Sequence, residues 1–304
     1  MSGLSVVIPV FNGAATLRNC LEALFLSTIA PLEIVVVDDA STDGSPEIAA
    51  QFPVQLVRFE ANLGQAAARN RGVQSTRGQI IFFLDADVYV QSETLEQLEK
   101  ALARNNDVAA MFCSYQPDTV PTNFTAVYKN LRHHYTHQTS RREATTFCGG
   151  FGAVRRDAFF KVDGFDPKLR FLEDIDLGYR LRKQGYRIVL DPGIQLTHAK
   201  EYTLRNLLWS DLFQRAVPWT RLMLKHHVFQ NDLNTRINNS ASVVITWIFV
   251  GILPFLELAP RFTCLAAAVI VVCLIVLNGS FLRFLWKKRG VVFVARSFPL
   301  LCLG

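Results

Sequence analysis

The first third of the chain alternates short apolar runs with amphipathic stretches. The apolar runs are rich in β-branched residues and lie at 4–10, 34–37, 54–59, 80–84 and 108–113. Stretches with helical periodicity lie between them, at 14–27, 45–52, 64–75 and 92–104. Strands that are apolar on both faces are typical of parallel sheets covered by helices. The pattern predicts an α/β fold with a mostly parallel, Rossmann-like sheet flanked by helices.

The last quarter of the chain has a different pattern. Two uncharged stretches, 240–256 and 262–282, are about 17 and 21 residues long, close to the about 20 that span hydrocarbon. The charged residues between them are Glu257 and Arg261, and the basic run 287–289 follows. We therefore predict a transmembrane hairpin with both ends in the cytoplasm.

Residues 203–230 connect these two regions. They interleave leucines and the tryptophans 209 and 219 with arginines and lysines, which is typical of a membrane-interface segment. The predicted domains are therefore an α/β domain over 1–200, an amphipathic interfacial segment over 201–235, and a transmembrane hairpin with an apolar tail over 236–304. The tail's last run, 291–304, is too short to span securely, which leaves a re-entrant segment, an interfacial segment or the start of a third helix open.

Composition narrows the partners and the location. The net charge of +6 is modest, and basic residues fall near the apolar segments, which favours an anionic membrane surface. The sequence has no basic stripe interleaved with aromatic residues, the pattern that would indicate nucleic-acid binding. The N-terminus shows no signal peptide. We predict a multi-pass protein of the cell inner membrane whose α/β domain is cytoplasmic.

Three acidic clusters stand directly after or beside apolar runs. They are Asp38-Asp39, Asp85-Ala86-Asp87 and Glu173-Asp174-Ile175-Asp176. Carboxylates at the carboxyl end of a buried strand lie where open α/β sheets bind ligands. An Asp-x-Asp pair can direct both side chains at one divalent cation and its phosphates. Each cluster alone also fits a simpler interpretation, as turn residues or as acids at a helix N-terminus.

Five motifs occur together in one order. They read VIPVFN at 7–12, VVDDASTDGS at 36–45, NLG at 62–64 followed by ARN at 68–70, LDAD at 84–87 and ED at 173–174. Over residues 4–200 the chain resembles glycosyltransferase family 2, the inverting enzymes with a GT-A fold. The resemblance implies a nucleotide-diphospho-sugar transferase.

The resemblance also implies roles for individual residues on the donor side. Pro9, Phe11 and either Asp38 or Asp39 would hold the nucleoside, with a carboxylate accepting from the base N–H. Arg69 would lie near the base and the pyrophosphate.

Further roles concern the cation and the chemistry. Asp85 would face the ribose, and together with Asp87 it forms the DxD motif that would hold Mg²⁺ or Mn²⁺. His198 matches a position where some members place a further metal ligand. Asp174, paired with Glu173, would be the general base.

The chain departs from the processive synthases of the family. Those enzymes carry a Gln-x-x-Arg-Trp motif, whereas here Gln214 and Arg215 are followed by Trp219 at the wrong spacing. A single-transfer enzyme is therefore expected. The histidines at 133, 134 and 137 lack nearby Cys or acidic partners, which favours a solvated or acceptor-lining face over a metal site.

The resulting hypothesis is an inner-membrane transferase. It would use a UDP-, GDP- or dTDP-activated sugar and a lipid-linked, glycan or other membrane-proximal acceptor. Two rivals stay open: a catalytically inactive nucleotide-sugar-binding scaffold of a polysaccharide assembly, and a sugar nucleotidyltransferase. The second rival usually requires a glycine-rich phosphate loop near the first strand, where this chain has only Gly13.

Overall fold

The computed structural model of the protein describes residues 3–105, 107–228, 233, 236–252, 254 and 260–303. The chain divides into two compact units, Met1–Val228 and Phe229–Gly304. Residues 201–228 of the expected interfacial segment belong to the first unit.

Nine strands of the first unit form one sheet. They are β1 (Leu4–Val10), β2 (Glu33–Asp38), β3 (Gln55–Arg58), β4 (Ile80–Leu84), β5 (Val88–Tyr89), β6 (Val108–Tyr115), β7 (Glu143–Ala144), β8 (Phe151–Arg155) and β9 (Arg187–His198). Their order across the sheet is β3-β2-β1-β4-β8-β6-β9-β5, and β7 pairs with β9.

The sheet is mixed. β3, β2, β1 and β4 run parallel to their neighbours, but β8 lies antiparallel between β4 and β6, and β6 and β9 are again parallel. The predicted α/β class is confirmed, but the sheet is mixed where the sequence predicts a mostly parallel one, because β5, β7 and β8 are antiparallel to their neighbours. An apolar run indicates that a strand is covered on both faces, but it does not indicate whether the strand is parallel or antiparallel to its neighbours.

Helices flank this sheet. They are α1 (Ala14–Phe25), α2 (Ser45–Ala49), α3 (Gln65–Gln74), α4 (Thr94–Arg104), α5 (Phe124–Thr139), α6 (Arg156–Lys161), α7 (Glu173–Lys183), α8 (Leu204–Trp209) and α9 (Val217–His226). A π-helical stretch, Ser210–Ala216, joins α8 to α9. The core is the apolar strands themselves: Leu4, Val7 and Ile8 of β1 are fully buried, as expected for β-branched and apolar residues in a covered sheet.

The second unit is helical where it is described. It contains α10 (Ile237–Ile252), α11 (Pro260–Leu277), α12 (Gly279–Ser297) and a 3₁₀ turn (Phe298–Leu303). No single described helix combines the length and the apolarity needed to cross a membrane. The pair Arg261–Leu277 and Gly279–Leu301, bent by 71°, meets these requirements together by length and composition only.

The predicted hairpin differs in detail from these helices. The first predicted span, 240–256, includes α10 and continues into residues 253, 255 and 256, which lie outside the described residues. The second, 262–282, is broken at Asn278, whose side-chain amide donates to Leu274 O and to Ser242 Oγ. Gly279 follows, and glycine is a poor helix former. The hairpin stays a prediction.

Candidate active site

The parallel half of the sheet brings the expected nucleoside-binding residues to one edge. β2, β1 and β4 are adjacent and parallel, so their carboxyl ends lie together. Pro9 is half-buried near the end of β1, and Phe11 follows it with 51% of its surface exposed. Asp38 and Asp39 stand at the end of β2, and Asp85 follows β4. We call this region the carboxyl edge.

The two carboxylates at the end of β2 are both buried but have different partners. Asp39 accepts from the backbone amides of Leu63 at 2.7 Å and Gly64 at 2.9 Å, directly before α3. Arg58 Nε lies 3.4 Å from Asp38 Oδ2, but without hydrogen-bond geometry, so Oδ2 has no hydrogen-bond partner among the described residues. A carboxylate that holds two amides still has free lone pairs. Both residues can therefore accept from a base N–H.

Arg69 of α3 lies buried between two carboxylates. Its Nη2 is 2.7 Å from Asp85 Oδ1, and its Nη1 pairs with Glu173. Burial opposes the charge, but Asp85 and Glu173 outweigh it and raise the pKa of Arg69. With only 3% of its side chain exposed, Arg69 joins the acidic clusters to one another. It is not an open cation at the nucleotide surface.

Glu173 holds Arg69 in place. Besides Arg69, it accepts from Gln65 Nε2 at 2.9 Å. Gln65 and Arg69 are one turn apart on α3 and so lie on the same helix face. Burial raises the pKa of Glu173 to about 7, with Arg69 opposing the shift. Glu173 therefore ties the start of α7 to one face of α3.

Asp174 occupies the first turn of α7 and faces the segment before β8. Its carboxylate accepts from the amide of Gly149 at 3.0 Å and from that of Ile175 at 2.8 Å. Burial raises the pKa of Asp174, and the Gly149 amide and Arg69 oppose the rise. A carboxylate with a raised pKa is a better proton acceptor than a free aspartate.

The glycine loop, residues 147–152, packs tightly against these side chains. A Cβ on Gly149 would lie 3.2 Å from the Arg69 guanidinium and from Asp174 Cβ, and one on Gly150 would lie 2.6 Å from Asp85 Oδ2. Glycine has no Cβ, so another group can approach its backbone closely. The structure shows that the site's own side chains already do so, which explains the lack of a Cβ here.

The predicted metal ligands come from two places: Asp85 and Asp87 lie between β4 and β5, and His198 lies at the end of β9. β5 starts at Val88, directly after Asp87, and Val88 is paired with His198 in β9. Burial raises the pKa of Asp87, with Lys200 opposing, and burial together with Lys200 lowers the pKa of His198 to about 3. His198 therefore stays neutral, as a metal ligand must.

These ligands do not form a complete metal site. Among the described residues, no three His, Cys, Asp or Glu side chains are grouped to hold an ion by themselves. The donor set of two carboxylates and one neutral imidazole fits a divalent cation that takes its other ligands from a diphosphate.

Of the two alternatives expected for the histidines of α5, the solvated face is wrong, and the acceptor-lining face stays a prediction. His134 is buried and its Nδ1 lies 2.7 Å from Tyr115 O. The rings of His133 and His198 both stack on Tyr115, at 5.9 and 4.3 Å between centroids. Burial lowers the pKa of His133 well below its usual value. Sequence spacing gave no sign of this aromatic cluster, because its members come from three separate elements.

Two family descriptions match the chain. "Glycosyl transferase family 2" matches residues 5–162, more than half of the chain, and "N-terminal domain of galactosyltransferase" matches residues 129–203.

Curated relatives extend over most of the chain. An uncharacterized glycosyltransferase of Haemophilus influenzae is 26% identical and covers 80% of this chain and 83% of its own. The N-acetylglucosaminyl-diphospho-decaprenol L-rhamnosyltransferase of Mycobacterium tuberculosis is 27% identical and covers 66% of this chain and 77% of its own.

Solved structures share the fold. A mannosyltransferase from Pyrobaculum calidifontis, in complex with GDP-Man and Mn²⁺, has a TM-score of 0.61 at 21% identity and covers 98% of this chain and 85% of its own. S. aureus TarS with UDP-GlcNAc has a TM-score of 0.51 at 20% identity and covers 67% and 60%. The fold is therefore GT-A. Together with the match over residues 5–162, this shows that the chain belongs to glycosyltransferase family 2 and is a glycosyltransferase that uses a nucleotide-sugar donor.

Proposed function

We propose that the protein is a membrane-anchored, inverting glycosyltransferase that transfers one sugar to a lipid-linked or membrane-proximal acceptor. The observation that carries this proposal is the position of Asp174. Its half-buried carboxylate accepts from the amide of Gly149 in the glycine loop, and Arg69 links its helix to the donor-side carboxylate Asp85. A base thus lies close to the donor side of the site.

The donor side is the carboxyl edge. Phe11 offers an exposed ring for the base, and Asp38 or Asp39 accepts from a base N–H. Asp85, with 37% of its side chain exposed, faces the ribose. The mannosyltransferase structure holds GDP-Man and the TarS structure holds UDP-GlcNAc, which supports this kind of donor and leaves the base open.

Asp85, Asp87 and His198 would hold a Mg²⁺ or Mn²⁺ shared with the donor diphosphate. When bound, the cation neutralises charge on the leaving diphosphate as a Lewis acid. A mannosyltransferase structure that shares this fold contains Mn²⁺, which supports a divalent cation.

Asp174 performs the proton transfer. The acceptor hydroxyl oxygen attacks the anomeric carbon, the bond from that carbon to the diphosphate breaks, and Asp174 takes the hydroxyl proton. Attack opposite the leaving group inverts the anomeric centre. This displacement needs no covalent enzyme intermediate, and Glu173 contributes by holding Arg69.

The acceptor and the location are proposed from the second unit and from one relative. The mycobacterial relative is named for a diphospho-decaprenol substrate. The apolar helices α10 and α11 and the basic run 287–289 support an inner-membrane, multi-pass protein with the catalytic unit in the cytoplasm.

A donor panel tests the function. Detergent-solubilised protein is incubated with UDP-, GDP- and dTDP-sugars, with Mg²⁺ or Mn²⁺, with and without a membrane lipid extract, and nucleoside diphosphate release is measured. We expect release with one donor class that depends on the lipid and stops when EDTA removes the cation. Release that persists in EDTA would contradict the metal assignment. Cation-dependent nucleotide binding without release from any donor would instead favour the scaffold.

A further inference from the structure

Two cationic side chains outside the family motifs border the acidic cluster. Lys200 follows β9, where the amide of Ala199 donates to Asp87 O at 2.8 Å. The Lys200 side chain is exposed, and its Nζ lies 5.8 Å from the Tyr202 ring centroid.

Arg215 reaches the same region from the π-helical stretch. Its Nη1 donates to the neutral ring of His133, with 3.2 Å to Nε2. Its nearest described carboxylate oxygen is Asp211 Oδ1 at 3.8 Å. Both Asp211 oxygens already accept from Lys129 Nζ at 2.7 Å. Arg215 therefore shares its nearest carboxylate with Lys129 and has no closer ion-pair partner among the described residues.

The aromatic cluster brings the two cations together. The ring of His133, which holds Arg215, lies 6.5 Å from the ring of His198, and His198 is two residues before Lys200. Burial opposes the charge of Arg215, but Tyr202 and nearby carboxylates, including Asp174, raise its pKa. Lys200 thus follows a residue that is hydrogen-bonded to Asp87, and Arg215 is held by a ring of the same aromatic cluster as His198.

Lys200 and Arg215 are more accessible to a ligand than Arg69 is. Arg69 is enclosed by two carboxylates with 3% of its side chain exposed. Arg215 has 36% exposed, and Lys200 makes no ion pair within 4.0 Å among residues 3–105 and 107–228. A guanidinium fork and an ammonium point charge both suit phosphate oxygens. π-Helical segments also occur often at functional sites.

We propose that Lys200 and Arg215 form a cation pair that binds a diphosphate group at the active site. This proposal rests on the proposed function, which identifies the site as the active site of a transferase. It adds that the two cations bind a diphosphate there. Two sources share this chemistry: the diphosphate of the donor and the diphosphate of a lipid-linked acceptor.

Direct binding separates these sources without requiring turnover. Full-length protein in detergent, with Mg²⁺, is titrated calorimetrically with UDP, GDP and geranyl diphosphate, and with uridine, guanosine and geraniol as phosphate-free controls. The variants are Lys200→Gln and Arg215→Gln. Arg205→Gln, an exposed arginine on α8, is the matched control.

Each variant of the pair is expected to weaken diphosphate binding about tenfold. Binding of the phosphate-free controls, and all binding by Arg205→Gln, should stay unchanged. Loss for UDP or GDP assigns the pair to the donor, and loss for geranyl diphosphate alone assigns it to the acceptor.

The proposal is overturned if neither nucleotide nor geranyl diphosphate affinity changes by more than about twofold in the Lys200→Gln variant. Because that side chain is exposed, this variant keeps the test valid even if Arg215→Gln fails to fold. If the parent protein transfers no sugar but the variants still bind diphosphate about tenfold more weakly, the proposed function is refuted and the cation pair is supported.

Discussion

At the scale of single residues, the glycine loop lies very close to Asp85. The amide of Asp85 donates to Gly150 O at 2.9 Å, and a Cβ on Gly150 would lie 2.6 Å from Asp85 Oδ2. We expect Gly150→Ala to displace the Asp85 carboxylate and lower kcat/KM about a hundredfold, as misplacements of about 1 Å can.

Gly44→Ala is the matched control for this substitution. Nothing lies within 4 Å of a Cβ at Gly44, and its φ of −73° suits alanine. The measurement is the transfer rate at equal thermal stability. If Gly150→Ala is as active as Gly44→Ala, the loop does not fix the Asp85 carboxylate.

Residue motifs were enough to find the carboxylates but not their arrangement. The positions of Asp85 and Asp174 at one site follow from strand ends and a helix start, which sequence patterns indicate. The enclosure of Arg69 by Asp85 and Glu173 depends on contacts between α3, β4 and α7, and these are distant in sequence. Gln65 had a visible signal, because it lies one turn before Arg69.

At the scale of elements, a buried ion pair joins α5 to the π-helical stretch. Lys129 and Asp211 are both almost fully buried, and burial lowers the pKa of Lys129 to about 7 although Asp211 opposes the shift. We expect Lys129→Met to leave the buried Asp211 carboxylate with only the more distant Arg215 guanidinium, at 3.8 Å, and to reduce the free energy of unfolding by about 3–5 kcal/mol.

Lys100→Met removes a comparable pair on the surface of α4, between Lys100 and Glu96. Exposed pairs of this spacing contribute only about 0.3–0.5 kcal/mol, so this control should unfold almost as the parent does. Urea titration in detergent measures both. The double variant Lys129→Met, Asp211→Leu should recover stability. If Lys129→Met is as stable as Lys100→Met, the Lys129–Asp211 pair does not stabilise the π-helical stretch.

The elements themselves were largely predictable in the N-terminal half. Apolar runs with β-branched residues specify covered strands, and β1, β2 and β4 appear where the pattern expects them. The antiparallel β8 and the π-helical stretch were not foreseen. Strand direction and a π-helical geometry are set by packing against other elements, and local periodicity does not record either.

At the scale of the whole molecule, the chain combines a GT-A catalytic unit with an apolar helical unit. Composition predicted this division, because the apolar excess lies in the last quarter. The break at Asn278 was not evident from hydropathy, since one polar residue changes an average very little. The proposed function connects the two units through an acceptor held at the membrane.

In the proposed reaction Asp174 removes the proton of the acceptor hydroxyl. A comparison of two asparagine variants tests this role. Asp174→Asn is compared with Asp157→Asn, since Asp157 is likewise in the first turn of a helix and accepts from the next amide at 2.8 Å, but is exposed. With the donor found in the panel, we predict that Asp174→Asn lowers kcat about 10²–10⁴-fold while nucleotide affinity stays unchanged. If Asp174→Asn transfers sugar as fast as Asp157→Asn does, Asp174 is not the general base.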